Sequence, residues 1–303
     1  MTGRPVSGRP PAGPPISRLG VIGGSGLYRM AGLECAIWTT VETPWGAPSD
    51  DLLLGELAGR AVAFLPRHGR GHRFAPDEIN YRANIAALKA VGCDQILAVS
   101  AVGSFREDLT PGTFVMVDQY VDRTLRMPRS FFGAGVVGHV GFAEPACTRL
   151  AGPVAASLAA LGRPYRTNGT MLVIEGPQFS TTAESRLHRA QGLDVVGMTG
   201  LPEARLAREA ELCYQSVAMV TDFDAWADVH VDVGNVVGVL ADNATHAQAL
   251  VREVARRTAP RGEPCSHGCD RALDIAIITP RDAWPEETRA KLATISLRTF
   301  GDA

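Results

Sequence analysis

The stretch Leu19-Gly20-Val21-Ile22-Gly23-Gly24-Ser25-Gly26 decides how the fold is read, because a short apolar run stops abruptly in glycines and a hydroxyl. The same pattern recurs along the chain. Val62-Ala63-Phe64-Leu65-Pro66 runs into Arg67-His68-Gly69, Ile96-Leu97-Ala98-Val99 into Ser100-Ala101, Leu172-Val173-Ile174 into Glu175-Gly176-Pro177, and Val217-Ala218-Met219-Val220 into Thr221-Asp222-Phe223-Asp224. Short runs of this kind, bounded by Gly and Pro, read as buried strands, and here they alternate with longer helical patterns. The alternation predicts an α/β fold, a single domain with a mixed or parallel β-sheet flanked by α-helices. Ligands of such sheets gather at the carboxyl ends of strands, so the polar residues that close each run are the candidate site.

Apolar residues at helical spacing predict helices over 77–89, 153–161, 183–191, 202–210 and 236–257, the fourth entered at Pro202, where a missing N–H costs little. Residues 272–279 and 285–292 read as a further strand and helix. Residues 1–17, rich in Pro and Gly, read as a disordered leader, 18–260 as one domain, and 261–303 as a C-terminal extension packed on it.

With 46% hydrophobic and 20% charged residues, the 303-residue chain has ample material for a large core. A net charge of −2 offers no broad attraction for nucleic acid or an anionic bilayer, which leaves a small molecule as the expected ligand. No segment resembles a signal peptide or approaches the roughly 20 apolar residues that span a membrane, so a cytoplasmic protein is expected. Of the six cysteines, Cys35, Cys93, Cys147 and Cys213 lie in apolar sequence and read as reduced thiols packed like small hydrophobes. Cys265-Ser266-His267-Gly268-Cys269 reads as a disulfide or as half of a zinc site. Structural zinc needs four ligands and no second cluster follows, so no metal is expected and the disulfide is left open.

The chemistry suggested by the strand ends is consistent. Gly23 to Gly26 can turn backbone N–H groups and the Ser25 hydroxyl toward an anion, a plain tight turn being the alternative. A dinucleotide site fits poorly, because Arg29 stands where the third glycine belongs and the segment beyond it reads as a strand. Arg67, with His68 and His72, offers phosphate a bidentate and permanently charged partner, although a basic surface loop would look similar. Ser100 and Thr199 add hydroxyls. Asp222 and Asp224, closing a buried strand, must find donors or be neutralised. They suit a 6-aminopurine, whose exocyclic amine donates and whose N7 takes up a proton as the base departs; capping of the next helix is the plainer alternative.

Taken in order and interval, GGSG, RHG, IEGPQFS, GMTGLPE and TDFD resemble the 5′-methylthioadenosine phosphorylase and purine nucleoside phosphorylase family, over about residues 18–255. The resemblance implies a single domain with a mixed, twisted β-sheet flanked by α-helices, in a homotrimer, or a hexamer built from it, whose neighbouring subunits complete each site. It implies no cofactor, with inorganic phosphate as co-substrate. It places the phosphate pocket on Ser25, Arg67, His68, Ser100, Ala101 and Thr199, the ribose near Met198, and the base near Phe179, Asp222 and Asp224, the two carboxylates being catalytic. Ser180 and Val233 fall where the family discriminates substrates. With Val236 and Val237, Val233 makes an apolar 5′ pocket suited to a methylthio group, unless these valines merely face the core. His139 resembles a histidine lent to the adjacent subunit. The implied reaction is phosphorolysis of 5′-methylthioadenosine to adenine and 5-methylthioribose 1-phosphate, in purine and methionine salvage. A broader purine nucleoside phosphorylase and a nucleoside-binding sensor or scaffold are the alternatives. Two features depart from the pattern: Gln178 stands where related members usually carry a basic residue, and the Cys265 to Cys269 spacing differs from the Cys-x-Cys of some members.

Overall fold

All five apolar runs lie in strands of one sheet in the computed structural model, which describes residues 17–24, 26, 27, 30–227, 233–261 and 264–301, with backbone only for 233–241. The strands are β1 (Arg18–Gly23), β2 (Leu33–Thr39), β3 (Leu52–Leu57), β4 (Arg60–Pro66), β5 (Cys93–Ser104), β6 (Phe114–Val117), β7 (Gln119–Asp122), β8 (Tyr165–Arg166), β9 (Thr170–Val173), β10 (Val195–Gly197) and β11 (Cys213–Phe223). The helices are α1 (Tyr81–Ala90), α2 (Thr148–Ala160), α3 (Thr182–Ala190), α4 (Gly200–Glu209), α5 (Val233–Arg257), α6 (Glu286–Ala293) and α7 (Leu297–Phe300). The sheet is mixed. β4, β1, β5 and β11 run parallel, and β2 and β3 extend the β4 edge as an antiparallel meander.

β5 organises everything that follows. One of its edges pairs with β11 from Gln95 to Ser104. On the other, β1 pairs in parallel as far as Ala98, and β10 pairs antiparallel with Gly103 and Ser104. The carboxyl ends of β1 and β10 therefore point at each other across residues 99–102, where that edge of the ladder is open. Such a break in strand order leaves backbone groups and nearby side chains accessible to a ligand. Gly103 lets β10 and β11 close in around it, since a Cβ there would meet Val196 Cγ1 at 3.1 Å.

Alternation along the strands sorts side chains onto two covered faces. Ile22, Ile96 and Ala98 pack with Tyr81, Ile85 and Leu88 of α1 and Leu206 of α4. Leu19, Val21, Leu97 and Val99 pack with Val154 and Leu158 of α2 and Leu250, Val251 and Val254 of α5. Because both faces are buried, the strands read as continuous apolar runs rather than as alternating ones. Leu273, Leu292, Ile295 and Phe300 of the C-terminal segment join the first face.

Two helix starts and one expected strand show where the structure differs from expectation. The helix expected from residue 77 begins at Tyr81, because the Asn80 side chain accepts the Ala83 N–H at 3.1 Å and caps it, while Pro76–Glu78 forms a separate 3-10 turn. α2 starts before its proline, which lies inside the helix. Residues 272–279 form no strand: a single bridge joins Gly138 to Ile277, and Leu273 and Ala276 are buried while Ile275 is 96% exposed and Ile278 64%. Buried positions three apart follow a winding chain, and the apolar letters misled as alternation. Residues 1–16, nearly all of the expected leader, lie outside the described residues. Among the described residues, no helix is long and apolar enough to cross a membrane.

Candidate active site

The open stretch of the β5 ladder is filled by an arginine. The Arg67 N–H donates to Gly23 O at 3.0 Å, which holds the loop after β4 against the end of β1. The guanidinium, 3% exposed, turns back into the core: Nη1 donates to Val99 O at 2.9 Å, Nε to Glu203 Oε1 at 2.5 Å and Nη2 to Glu203 Oε2 at 3.0 Å. Glu203, 1% exposed and in the first turn of α4, also accepts the Tyr214 hydroxyl at 3.0 Å. Burial works against the Arg67 charge, but the Glu203 carboxylate more than reverses this and holds the guanidinium protonated above its ordinary range. Glu203 is the residue that the reading of single motifs passed over. Its signal was present, since a carboxylate set among Leu201, Pro202, Ala204 and Leu206 requires a buried cation.

His68 follows directly. Its Nδ1 lies 2.9 Å from Phe74 O, a pure acceptor, so Nδ1 carries the ring proton, and the ring stacks on His72 at 4.2 Å. Burial pushes its pKa down to about 4, against the pull of the Phe74 carbonyl and with help from Arg67 and His72. The imidazole is therefore neutral and presents Nε2 as an acceptor. A phosphate dianion beside it would raise that pKa and allow Nε2 to take up a proton and donate. Ser100 and Ala101 lie within β5, not beyond its end, paired with Ala218 and Met219 of β11. Their position in the open part of the ladder still exposes them to the site. Thr199 occupies the N-cap position of α4 without capping it through its side chain. Ser25 lies outside the described residues.

The carboxylates come from β11 and the residue just beyond it, beside the carboxyl end of β5. Asp222 pairs with Gly103 just after a register shift, and its Oδ1 accepts the Thr221 hydroxyl at 2.6 Å. The Asp224 N–H donates to Ser104 O at 2.9 Å. A Cβ on Gly103 would stand 3.4 Å from Asp224 Cβ and 3.5 Å from Asp222 Oδ2, so the two acids flank one glycine. Asp224 is 4% exposed, and its Oδ2 has no hydrogen-bond partner among the described residues. Burial, reinforced by Asp224 and opposed by the Thr221 hydroxyl, raises the Asp222 pKa. Helix capping does not explain the pair, because α5 begins well downstream at Val233.

Among the remaining residues, Met198 packs on Gly176, whose φ of +66° and lack of a side chain make room; a Cβ there would meet Met198 Sδ at 2.5 Å. Ser180 Oγ is buried without a partner among the described residues, and Phe179 is 63% exposed. The side chains of Val233, Val236 and Val237, at the start of α5, lie outside the described residues. His139 is exposed on a loop outside the strands and helices, its N–H donating to Ala276 O at 2.8 Å.

Comparison with known proteins accords with this geometry. The phosphorylase superfamily model matches residues 18–256. The S-methyl-5′-thioadenosine phosphorylases of Cereibacter sphaeroides and Rhodospirillum rubrum are 52% and 53% identical to the chain, covering 93% of it and 98% and 97% of their own lengths. A crystal structure of methylthioadenosine phosphorylase from an Antarctic soil metagenomic library superposes with a TM-score of 0.87 at 42% identity, covering 93% of this chain and 99% of that one. Methylthioadenosine phosphorylase of Schistosoma mansoni, in complex with tubercidin, gives 0.73 at 38% identity, covering 79% and 90%. With an open β5 ladder, a buried Arg67–Glu203 pair and a carboxylate pair around Gly103, the chain belongs to the phosphorylase superfamily and, within it, to the family of the S-methyl-5′-thioadenosine phosphorylases.

Proposed function

We propose that the protein cleaves the N-glycosidic bond of 5′-methylthioadenosine with inorganic phosphate, releasing adenine and 5-methylthioribose 1-phosphate. The observation that carries the reading is the Asp222 and Asp224 pair, with a buried Asp224 oxygen that has no partner among the described residues, beside Gly103 on β5, three residues beyond the open ladder at Ser100. Ser100 and Gly103 are separated by about 10 Å at ~3.3 Å per residue, a span that accommodates a phosphate at one end and a purine at the other.

In this reading the phosphate dianion is held by Arg67, His68, Ser25, Ser100, Thr199 and the backbone at Ala101. As the bond from C1′ to N9 lengthens, positive charge develops on the ribose, and the dianion stabilises it before its oxygen bonds to C1′. The electron pair of the broken bond goes to the base, where Asp222 delivers a proton toward N7 while Asp224 accepts from the exocyclic amine. A raised Asp222 pKa serves this role. Met198 lies along the ribose, and Phe179 and Ser180 border the base and sugar. The reaction as written requires no organic cofactor or redox partner. The exposed position of His139 suits a residue that completes a neighbour's 5′ pocket, so we propose a homotrimer acting in the cytoplasm.

Substrate preference tests the reading. An apolar 5′ pocket at Val233, Val236 and Val237 leaves a hydroxyl without a partner, which costs roughly 1–3 kcal/mol. Wild type is expected to prefer methylthioadenosine over adenosine by about ten- to hundredfold in kcat/KM, with inosine poorer still for want of the 6-amino donor. Val233→His should narrow the first ratio. Equal use of adenosine by the wild type would instead favour a broader nucleoside phosphorylase.

A further inference from the structure

We propose that Cys147, Cys213, Cys265 and Cys269 form a structural metal site that takes one Zn²⁺ in tetrahedral thiolate coordination and staples the C-terminal segment to the sheet. Reading along the chain found only half of it. Cys265 and Cys269 frame a turn made possible by Gly268 at φ +74°, and their spacing is one that zinc knuckles use. The second half is assembled by the fold, from Cys147 immediately before α2 and Cys213 at the first residue of β11. Cys147 and Cys213 are free and buried among apolar side chains, as expected, and the fold also sets them against Cys265 and Cys269, the second pair that did not follow in the sequence.

The geometry favours a metal over disulfides. All four thiols are buried, and their sulfurs lie within 4.8 Å of one another. Cys265 Sγ stands 3.6 Å from Cys147 Sγ and 3.5 Å from Cys213 Sγ. A tetrahedron with Zn–S bonds of about 2.3 Å has edges of about 3.8 Å, close to both distances. A disulfide needs about 2.05 Å and a single partner, whereas Cys265 is nearly equidistant from two. All six cysteines of the chain are unbonded, and Cys35, expected in the interior, is exposed.

The surroundings suit the charge. Zn²⁺ displaces the four thiol protons without any change of oxidation state and leaves a centre of net charge −2, which calls for a nearby cation. Arg261 Nη1 lies 3.9 Å from Cys213 Sγ and is fixed by a hydrogen bond to Glu211 O at 3.1 Å. The Cys265 N–H donates to Asp270 Oδ1 at 3.0 Å, closing the turn. His267, inside the turn, is engaged elsewhere: its Nε2 lies 3.0 Å from Arg208 Nη2 and 3.1 Å from Glu144 O, and its Nδ1 3.3 Å from Thr148 Oγ1. It buttresses the turn and is not a ligand. Beyond the cysteines the segment supports the His139 loop, through the bond from His139 N–H to Ala276 O and the Gly138–Ile277 bridge. The metal therefore anchors the strap on which that loop rests.

The full-length protein, purified without chelators, is analysed by inductively coupled plasma mass spectrometry, by intact mass without reductant, and by thermal melts before and after zinc removal with a mercurial. About one zinc per chain is expected, with no mass deficit from disulfides, a lower Tm after removal, and thiolate-to-cobalt charge-transfer bands when Co²⁺ replaces it. Cys265→Ser combined with Cys269→Ser should lose the metal; should that variant fail to fold, the zinc content and cobalt spectrum of the wild type decide alone. A wild type that holds no zinc as purified, and none after anaerobic reduction and reloading, overturns the proposal. So does an intact mass short by two hydrogens for each of two disulfides.

Discussion

Arg67 is asked to neutralise a buried carboxylate and to meet a phosphate, and the two demands can be separated. Arg67→Ala strands Glu203 in the core with only the Tyr214 hydroxyl, which should cost about 3–5 kcal/mol of stability and also raise KM for phosphate while lowering kcat. Removing both partners, Arg67→Ala with Glu203→Ala, should restore part of the stability and none of the phosphate kinetics. If the double variant recovers both, Arg67 serves the core alone. For Asp222, loss of the acid should lower kcat by about 10²–10⁴. Its folded pKa is raised, so the protonated form, and with it the rate, declines as pH rises through that value; Asp222→Asn should remove this limb of the pH–rate profile. The sign for stability is the same: the raised pKa means a contribution lost with rising pH, so the Asn variant should melt no lower than wild type at neutral pH. Asp222→Asn with an unchanged kcat and pH profile would remove Asp222 as the acid.

Individual elements were legible where one interaction dominates and obscure where the fold supplies the partner. The apolar runs of β1, β4, β5, β9 and β11 read correctly because burial on both faces leaves no other pattern. The length of β5 did not, because the neighbour that continues it past Ser100 is β11, more than a hundred residues away. Glu203 and the Cys147 and Cys213 half of the thiol cluster were hidden for the same reason. Glu209, at the end of α4, shows how such a long-range contact becomes measurable. It accepts the Ser130 hydroxyl at 2.8 Å and the Phe131 N–H at 2.6 Å, holding the loop that leads to His139. Burial pushes its carboxyl up to about 7, against the pull of those two donors. A folded pKa above the unfolded 4.5 stabilises fully below about 4.5 and loses that contribution as pH rises through about 7, a change of roughly 3 kcal/mol at most. Glu209→Gln should flatten the fall in Tm between about pH 5 and 8. An unchanged slope would show that Glu209 does not titrate in that window.

At the scale of the whole molecule, the layered α/β plan was readable from alternation, while the homotrimer rests on the family resemblance and is a proposal. Burial patterns within one chain describe its own core, and the apolar side chains Leu125, Val137, Ile275 and Ile278 lie exposed outside it. The site is likewise a property of the whole sheet. Arg67 reaches the β5 edge at Val99 and Asp222 pairs with Gly103, so the sheet and no single motif sets these two along one strand. The central claim is that this arrangement makes phosphate the nucleophile. Phosphorus NMR of the purified protein with methylthioadenosine, in phosphate and in a phosphate-free buffer, tests it directly. The account predicts adenine release only with phosphate, matched one for one by a new pentose 1-phosphate resonance. Adenine released at the same rate without phosphate, with free methylthioribose as the sugar product, would contradict it.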